Sequence, residues 1–421
     1  MILSMHPSSS DSEKGGNGAP AFRGAVILGS NVNGIGVIRS LGRLGVTCGA
    51  IFPPQDGDHA YHSKYLRVAE RAAADADDHE LREVLARAAG LLRAPRPVLI
   101  PTSDRYSQFL CTNQASLAEE YIFNCADIDL YDTFLDKWKT YGICNENNVL
   151  VPRTVCPQAT DQLPAIARDL RYPVIVKPRY TFGDAFPGKN AQCENITALL
   201  AFFERHDVIG DAIIQEIIPS GDGDVLVLAS YSDNDGKVRA MYSGRKIRQY
   251  LPDYGSTSFG ISEKHPELEQ RTREFLDKIG YRGFAMVEFA RSRDDGRPYF
   301  LELNTRTAWT NRLFADAGVD LTQIGYLDMI GMDYEAVVGP IEQRDGINWL
   351  EFRRDFGSMR IKRKHQEITI LQWLRSIVRA RSFAYWSWRD PIPFVVACFW
   401  RFGKWCRNYL MFGSNDHTRT Q

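Results

Sequence analysis

Phe284–Arg306 reads FAMVEFARSRDDGRPYFLELNTR. Two runs rich in apolar and aromatic residues flank Asp294-Asp295-Gly296, a strong hairpin-turn signal. With the hairpin centred on Asp295, positions 288 and 302 each lie seven residues from the turn, so Glu288 and Glu302 become cross-strand neighbours on one face. Asn304 shares that face, while Val287, Phe289, Tyr299, Leu301 and Leu303 form the opposite, apolar one. Two carboxylates and an amide oxygen that converge make a poor core and a good hard-cation site. Mg²⁺ takes oxygen ligands and completes its shell with waters and nucleotide phosphates. Arg306 continues the alternation and places a guanidinium beside the phosphates such a metal would hold. The competing reading is a hairpin with an ordinary solvated face, and the hairpin alone does not separate the two.

Upstream the chain shows two patterns. Ala25–Gly29 reads as a strand, Ser30–Gly36 as a loop, and Ile38, Leu41 and Leu44 as a helical face. A strand over Val46–Phe52, a helix over Asp77–Leu92 and a strand over Pro97–Pro101 follow, which indicates a parallel sheet with crossover helices up to about residue 125. The glycines of the first loop fall at 29, 34 and 36, not as G-x-G-x-x-G, and the next strand ends in Ile51-Phe52 without a ribose-binding acid. A nicotinamide dinucleotide site is therefore disfavoured.

Beyond about Leu130 the order becomes α+β. Strands are expected at Pro173–Pro178 and Ala212–Ile218, with a loop over Arg179–Ala191 and a helix over Ile196–Arg205 between them. A hairpin turns at Asp233-Asn234-Asp235-Gly236, a polar loop covers Gly244–Ser262, and helices cover Pro266–Ile279 and the region from Thr310 to Gly331. Lys177 ends the apolar strand PVIVKP, where a lysine points into whatever cleft the strand borders.

Glu288 followed by Glu302-Leu303-Asn304-Thr305-Arg306 resembles the terminal signature of ATP-grasp enzymes. The resemblance implies that Glu288, Glu302 and Asn304 hold Mg²⁺ and that Arg306 contacts the transferred phosphoryl group. It also implies that Lys137 (with Lys139 as a competitor) and Lys177 reach nucleotide phosphates, and that the loop containing Gly183 covers them. Gln215-Glu216-Ile217-Ile218 then resembles the adenine hinge, with Asp224 or Asp222 at the ribose. Arg245, Lys246 and Arg248 form a concentration of cations suited to a substrate carboxylate, with Arg245 and Arg248 as the catalytic candidates. This stretch and Ala317–Leu321 are similar to carboxylate–amine ligases near the D-aspartate ligases.

The fold class implied is α/β and α+β. A Rossmann-like pre-ATP-grasp domain is expected over 22–128, and a lid module with its linker helix over 129–222. A metal and substrate module follows over 223–340 and a helical extension over 341–421, with residues 1–21 disordered. The implied chemistry is an amide-forming ligase working through an acyl phosphate, with ATP and Mg²⁺ (or Mn²⁺) as cofactors and a small carboxylate and amine as substrates. The alternatives are a non-catalytic nucleotide-binding scaffold and a small-molecule kinase on the same fold.

A formal charge of −1 gives no global attraction to nucleic acid, and none is expected as a partner. Eight cysteines, none in a C-x-x-C pair, fit a reducing cytosol, and no secretory signal or spanning run is read. Arg353–Arg407 carries thirteen Lys or Arg against Asp355, Glu367 and Asp390, and five of the eight tryptophans. That composition permits either peripheral contact with an anionic membrane or packing on the body or on a second subunit.

Overall fold

The computed structural model describes residues 22–29, 31–53, 59–73, 75–182, 186–252 and 255–398. The disorder expected for residues 1–21, the expected role of Gly183, and Trp400 and Trp405 lie outside them.

The first sheet is parallel and contains β1 (Ala25–Leu28), β2 (Cys48–Phe52), β3 (Leu66–Arg71) and β4 (Val98–Pro101) in the order β3-β2-β1-β4. Along β1, Ala25 and Ile27 pack with the helix Val32–Leu44, while Val26 and Leu28 pack with the helix Asp78–Leu92. Burial on both faces is what makes such strands continuous apolar runs. The edge strand β3, LRVAER, is only partly buried and carries no such run, so its sequence gave no strand signal.

The second sheet is antiparallel and contains β5 (Thr154–Val155), β6 (Val174–Pro178), β7 (Ala191–Cys193) and β8 (Ala212–Glu216), ordered β5-β8-β6-β7. Val174, Val176 and Ile214 face the helices Leu163–Arg168 and Ile196–Arg205. The alternate positions Ile175, Lys177 and Gln215 are left to face a cleft.

The third sheet has seven strands: β9 (Val225–Ser232), β10 (Val238–Tyr250), β11 (Ser256–Ser262), β12 (Gly283–Arg291), β13 (Pro298–Asn304), β14 (Asn348–Leu350) and β15 (Ala380–Phe383). Their order is β13-β12-β9-β10-β11-β14-β15. Residues 244–250 and 256–262, read as parts of a polar loop, instead lie in β10 and β11, which pair antiparallel from Gly244 with Ser262 to Tyr250 with Ser256. The C-terminal segment is not wholly helical either. Besides the helices Phe352–Lys364 and Ile370–Ile377, it adds β14 and β15 to the sheet edge.

In the β12–β13 hairpin, Glu288 lies opposite Glu302, as the turn-centred register requires. A bulge then intervenes and pairs Phe289 with Phe300 and Ala290 with Tyr299. The extra residue inverts the alternation nearer the turn. Phe300 therefore joins Val287, Phe289 and Leu303 in the core, while Leu301 faces the cleft and the Tyr299 hydroxyl donates to Asp295 at 2.9 Å.

Candidate active site

The cleft lies between the inner face of the second sheet, the acidic hairpin and the loop ends of the first sheet, with a volume of about 600 Å³. Lys137 enters it from the first turn of the helix Lys137–Glu146, which Asp136 caps by accepting from the Trp138 backbone N–H at 2.9 Å. The same carboxylate takes the Arg179 guanidinium, and the Lys137 backbone N–H donates to the Arg179 carbonyl at 2.9 Å. The helix start is thus pinned to the end of β6, bringing Lys137 and Lys177 into one cleft. Lys139 instead lines a separate hollow of about 920 Å³, which Glu216 and Ile218 also border and which contains neither glutamate of the hairpin.

Lys177 donates to Gln215 Oε1 at 2.8 Å. Burial, modified by attraction to Glu302 and repulsion from Lys137, lowers its pKa from the ordinary lysine value to about 8. Burial also lowers that of Lys137, against the pull of Glu302 and Asp136. Gln215, Glu216, Ile217 and Ile218 line the same cleft, and Ile175, Met286, Leu301 and Leu303 add apolar surface.

Glu288 is nearly buried and accepts from Lys246 Nζ at 2.6 Å. Glu302 is open to the cleft and accepts from the Asn304 amide at 3.1 Å, and Asn304 Oδ1 accepts from Arg306 at 2.9 Å. Arg306 also pairs with Asp104 of the first unit at 3.0 Å. Burial raises the pKa of Glu288, with Lys246 opposing and Glu302 adding to the shift. Burial pushes Glu302 the same way, but Lys246, Asn304, Arg306 and Lys177 outweigh it and the net shift is downward. Two facing carboxylates and an amide oxygen are the donor chemistry of a hard divalent cation, so these residues fit Mg²⁺. Among the described residues no cluster of three or more His, Cys, Asp or Glu is placed to hold a metal ion.

Residues 32–36, read as part of a loop, instead open the helix Val32–Leu44, which reaches the cleft through its cap Asn31 and its first-turn residue Asn33. Asn33 donates to the carbonyls of Thr102 at 3.0 Å and Thr307 at 2.6 Å and accepts from Asn311 at 2.7 Å, which locks that helix start to the segment following Arg306.

Three expectations need correction. Arg245 turns away from the cleft to Glu263, at 2.8 Å, and Arg248 makes a buried two-pronged pair with Asp355, at 2.8 and 2.9 Å. Alternation sends Arg245 and Lys246 to opposite faces, and the irregularity between Lys246 and Gln249 then breaks the period, so Lys246 and Gln249 enter the cleft while Arg248 turns to Asp355. Asp224 does not line it either, since its carboxylate accepts from the Gly221 N–H at 2.9 Å and from Arg293 at 2.7 Å. Asp222 is likewise engaged elsewhere, with Lys362 at 3.1 Å. Gln249, Thr257 and Trp309 also line the cleft. The β10 alternation was the signal that could have separated Lys246 from Arg245, whereas nothing local marked Trp309 or the irregularity that brings Gln249 beside Lys246.

No family model matches the chain. It is 24% identical over 322 residues to a D-aspartate ligase of Enterococcus faecium, spanning 71% of this chain and 74% of that one. Among solved structures it resembles the biotin carboxylase domain of the Hydrogenobacter thermophilus 2-oxoglutarate carboxylase, captured with MgADP, ADP and bicarbonate. That likeness has a TM-score of 0.59 and 17% identity, covering 77% of this chain and 73% of that one. It also resembles an L-amino acid ligase of Bacillus licheniformis, with a TM-score of 0.57 and 15% identity, over 76% and 77% of the two chains.

Proposed function

We propose, from the premise that the chain is an ATP-dependent ligase of the ATP-grasp type forming C–N bonds, that its cleft activates a small carboxylate as an acyl phosphate and passes it to an amine. The observation that carries this reading is the convergence of Lys137, Lys177, Lys246 and Arg306 on the facing pair Glu288 and Glu302 in one cleft. Lys137 and Lys177 hold the nucleotide phosphates, and Gln215–Ile218 receives the base. Glu288, Glu302 and Asn304 hold Mg²⁺, which when bound neutralises phosphate charge.

A carboxylate oxygen of the substrate attacks the γ-phosphorus, and the bond from that phosphorus to the bridging oxygen breaks with ADP leaving. Arg306 and Lys246 stabilise the charge on the phosphoryl oxygens during transfer. The amine enters as the free base and its lone pair attacks the acyl carbon. The tetrahedral adduct expels phosphate, and the surplus proton is lost from nitrogen. Asn31, Asn33, Gln249, Thr257 and Trp309 also line the cleft, and we assign the two organic substrates to them. Catalysis is then mainly positioning and charge compensation.

The test is Mg²⁺-dependent ADP release with a panel of amino acids and other carboxylates, each with and without amines, beside a Glu302→Ala control. ADP formation that requires both partners and disappears in the variant supports the proposal. ADP formation with a hydroxyl compound alone would replace it with a kinase.

A further inference from the structure

The C-terminal helices carry a surface that the ligase chemistry does not use. Helix Ile370–Ile377 is held by a capping box at Thr369 and Gln372 and is anchored inward by Trp373, whose indole N–H donates to buried Asp355 at 2.7 Å. Its outward stripe is apolar: Ile370, Leu371, Leu374 and Val378 are exposed, Leu371 by 57% and Val378 by 78%. These positions share one helical face. Phe352 and Phe356 of the preceding helix pack on Trp373, with ring centroids 5.9 and 5.8 Å away, and are themselves 54% and 42% exposed, so the apolar surface crosses both helices.

The surrounding charge is of one sign. Arg360, Arg363, Lys364, Arg375, Arg379 and Arg381 are exposed, and among the described residues none has a carboxylate partner. Of the three acids in this stretch, Asp355 and Asp390 are buried in ion pairs, and Glu367 is taken by Lys362 at 2.6 Å. Arg375 and Arg379 lie one turn apart beside Leu371, Leu374 and Val378, which gives an aliphatic stripe with a cationic margin.

We propose that this face docks on the surface of an anionic phospholipid bilayer. Aliphatic side chains gain from insertion below the headgroups, while arginines at the margin stay with lipid phosphates. A second copy of the chain would bring the same uncompensated cations into contact with themselves. A nucleic acid would meet the arginines and leave the leucines without a partner. No helix among the described residues is long and apolar enough to cross a membrane, so the attachment is peripheral.

The test is flotation of the full chain with vesicles of phosphatidylglycerol mixed with phosphatidylcholine, against phosphatidylcholine alone, at low and high salt. The wild type is expected to float with the anionic vesicles only, and less at high salt. Replacing Arg375 and Arg379 together by glutamine should weaken binding roughly 25-fold, about fivefold per cation. Leu371→Ser with Leu374→Ser should also release the protein, and both variants should keep the wild-type thermal midpoint and Mg·ATP affinity. The proposal is overturned by folded wild type that stays unbound, by equal binding to neutral vesicles, or by binding to tRNA that survives the serine changes. A concentration-dependent dimer that the serine changes abolish would assign the face to self-association instead.

Discussion

Asp355 is the most exacting place to perturb this chain. Its carboxylate is fully buried and accepts from Arg248 Nε and Nη2 at 2.8 and 2.9 Å, from Ser258 Oγ at 3.1 Å and from Trp373 Nε1 at 2.7 Å. Three elements therefore end on one side chain: β10, β11 and the helix Ile370–Ile377. Asp355→Ala leaves the Arg248 guanidinium buried without a counter-charge, which costs about 3–5 kcal/mol. Removing the charge as well, in Arg248→Met with Asp355→Leu, should recover most of that loss, because an apolar pair of similar volume is often neutral in such a site. Urea unfolding followed by tryptophan fluorescence measures both effects. The double variant also decides what Arg248 does: as a structural cation its loss should leave Mg²⁺-dependent ADP release within a few-fold of wild type. A loss below about 1 kcal/mol for Asp355→Ala would show that water reaches the pair, and an inactive but stable double variant would return Arg248 to the chemistry.

Two further perturbations test the cleft and its frame. With Lys177 lowered by burial to about 8, its ammonium is lost as pH rises through that value, so Mg·ATP affinity measured by calorimetry should fall above pH 8, by at most about tenfold per unit. Lys177→Arg should flatten that fall, and a wild-type profile that is flat would place the lysine away from the phosphates. Asp390 accepts from Arg39 at 2.9 Å, Ser63 at 2.8 Å and the Lys64 N–H at 3.0 Å, all at a buried junction between the C-terminal segment and the first sheet's helix. Asp390→Ala should cost about 3–5 kcal/mol in urea unfolding, and a variant as stable as wild type would show that the segment does not brace that helix.

The acidic hairpin was legible because a strong turn and strict alternation fix a register, and Glu288 does face Glu302. The limit of that arithmetic was the bulge, which exchanged Phe300 for Tyr299 and Leu301 without disturbing the acids. The parallel sheet was legible wherever strands are buried on both faces, and β3 escaped because an edge strand carries no continuous apolar run. Among the cations, a run of Arg-Lys-Ile-Arg announces charge but not direction. Which of them meets the cleft depends on strand pairing and on two partners, Glu263 and Asp355, far from them in sequence. The same holds for Asp224, whose partner Arg293 arrives from another hairpin.

The most direct test of the central claim follows one oxygen. With the carboxylate and amine that the ADP-release panel identifies, the carboxylate is labelled with oxygen-18 and the released phosphate is analysed by mass spectrometry. Attack on the γ-phosphorus followed by amide formation predicts one labelled oxygen in each phosphate, ADP as the nucleotide product, and no phosphate at all from Glu302→Ala. Unlabelled phosphate, or AMP with pyrophosphate, would contradict it.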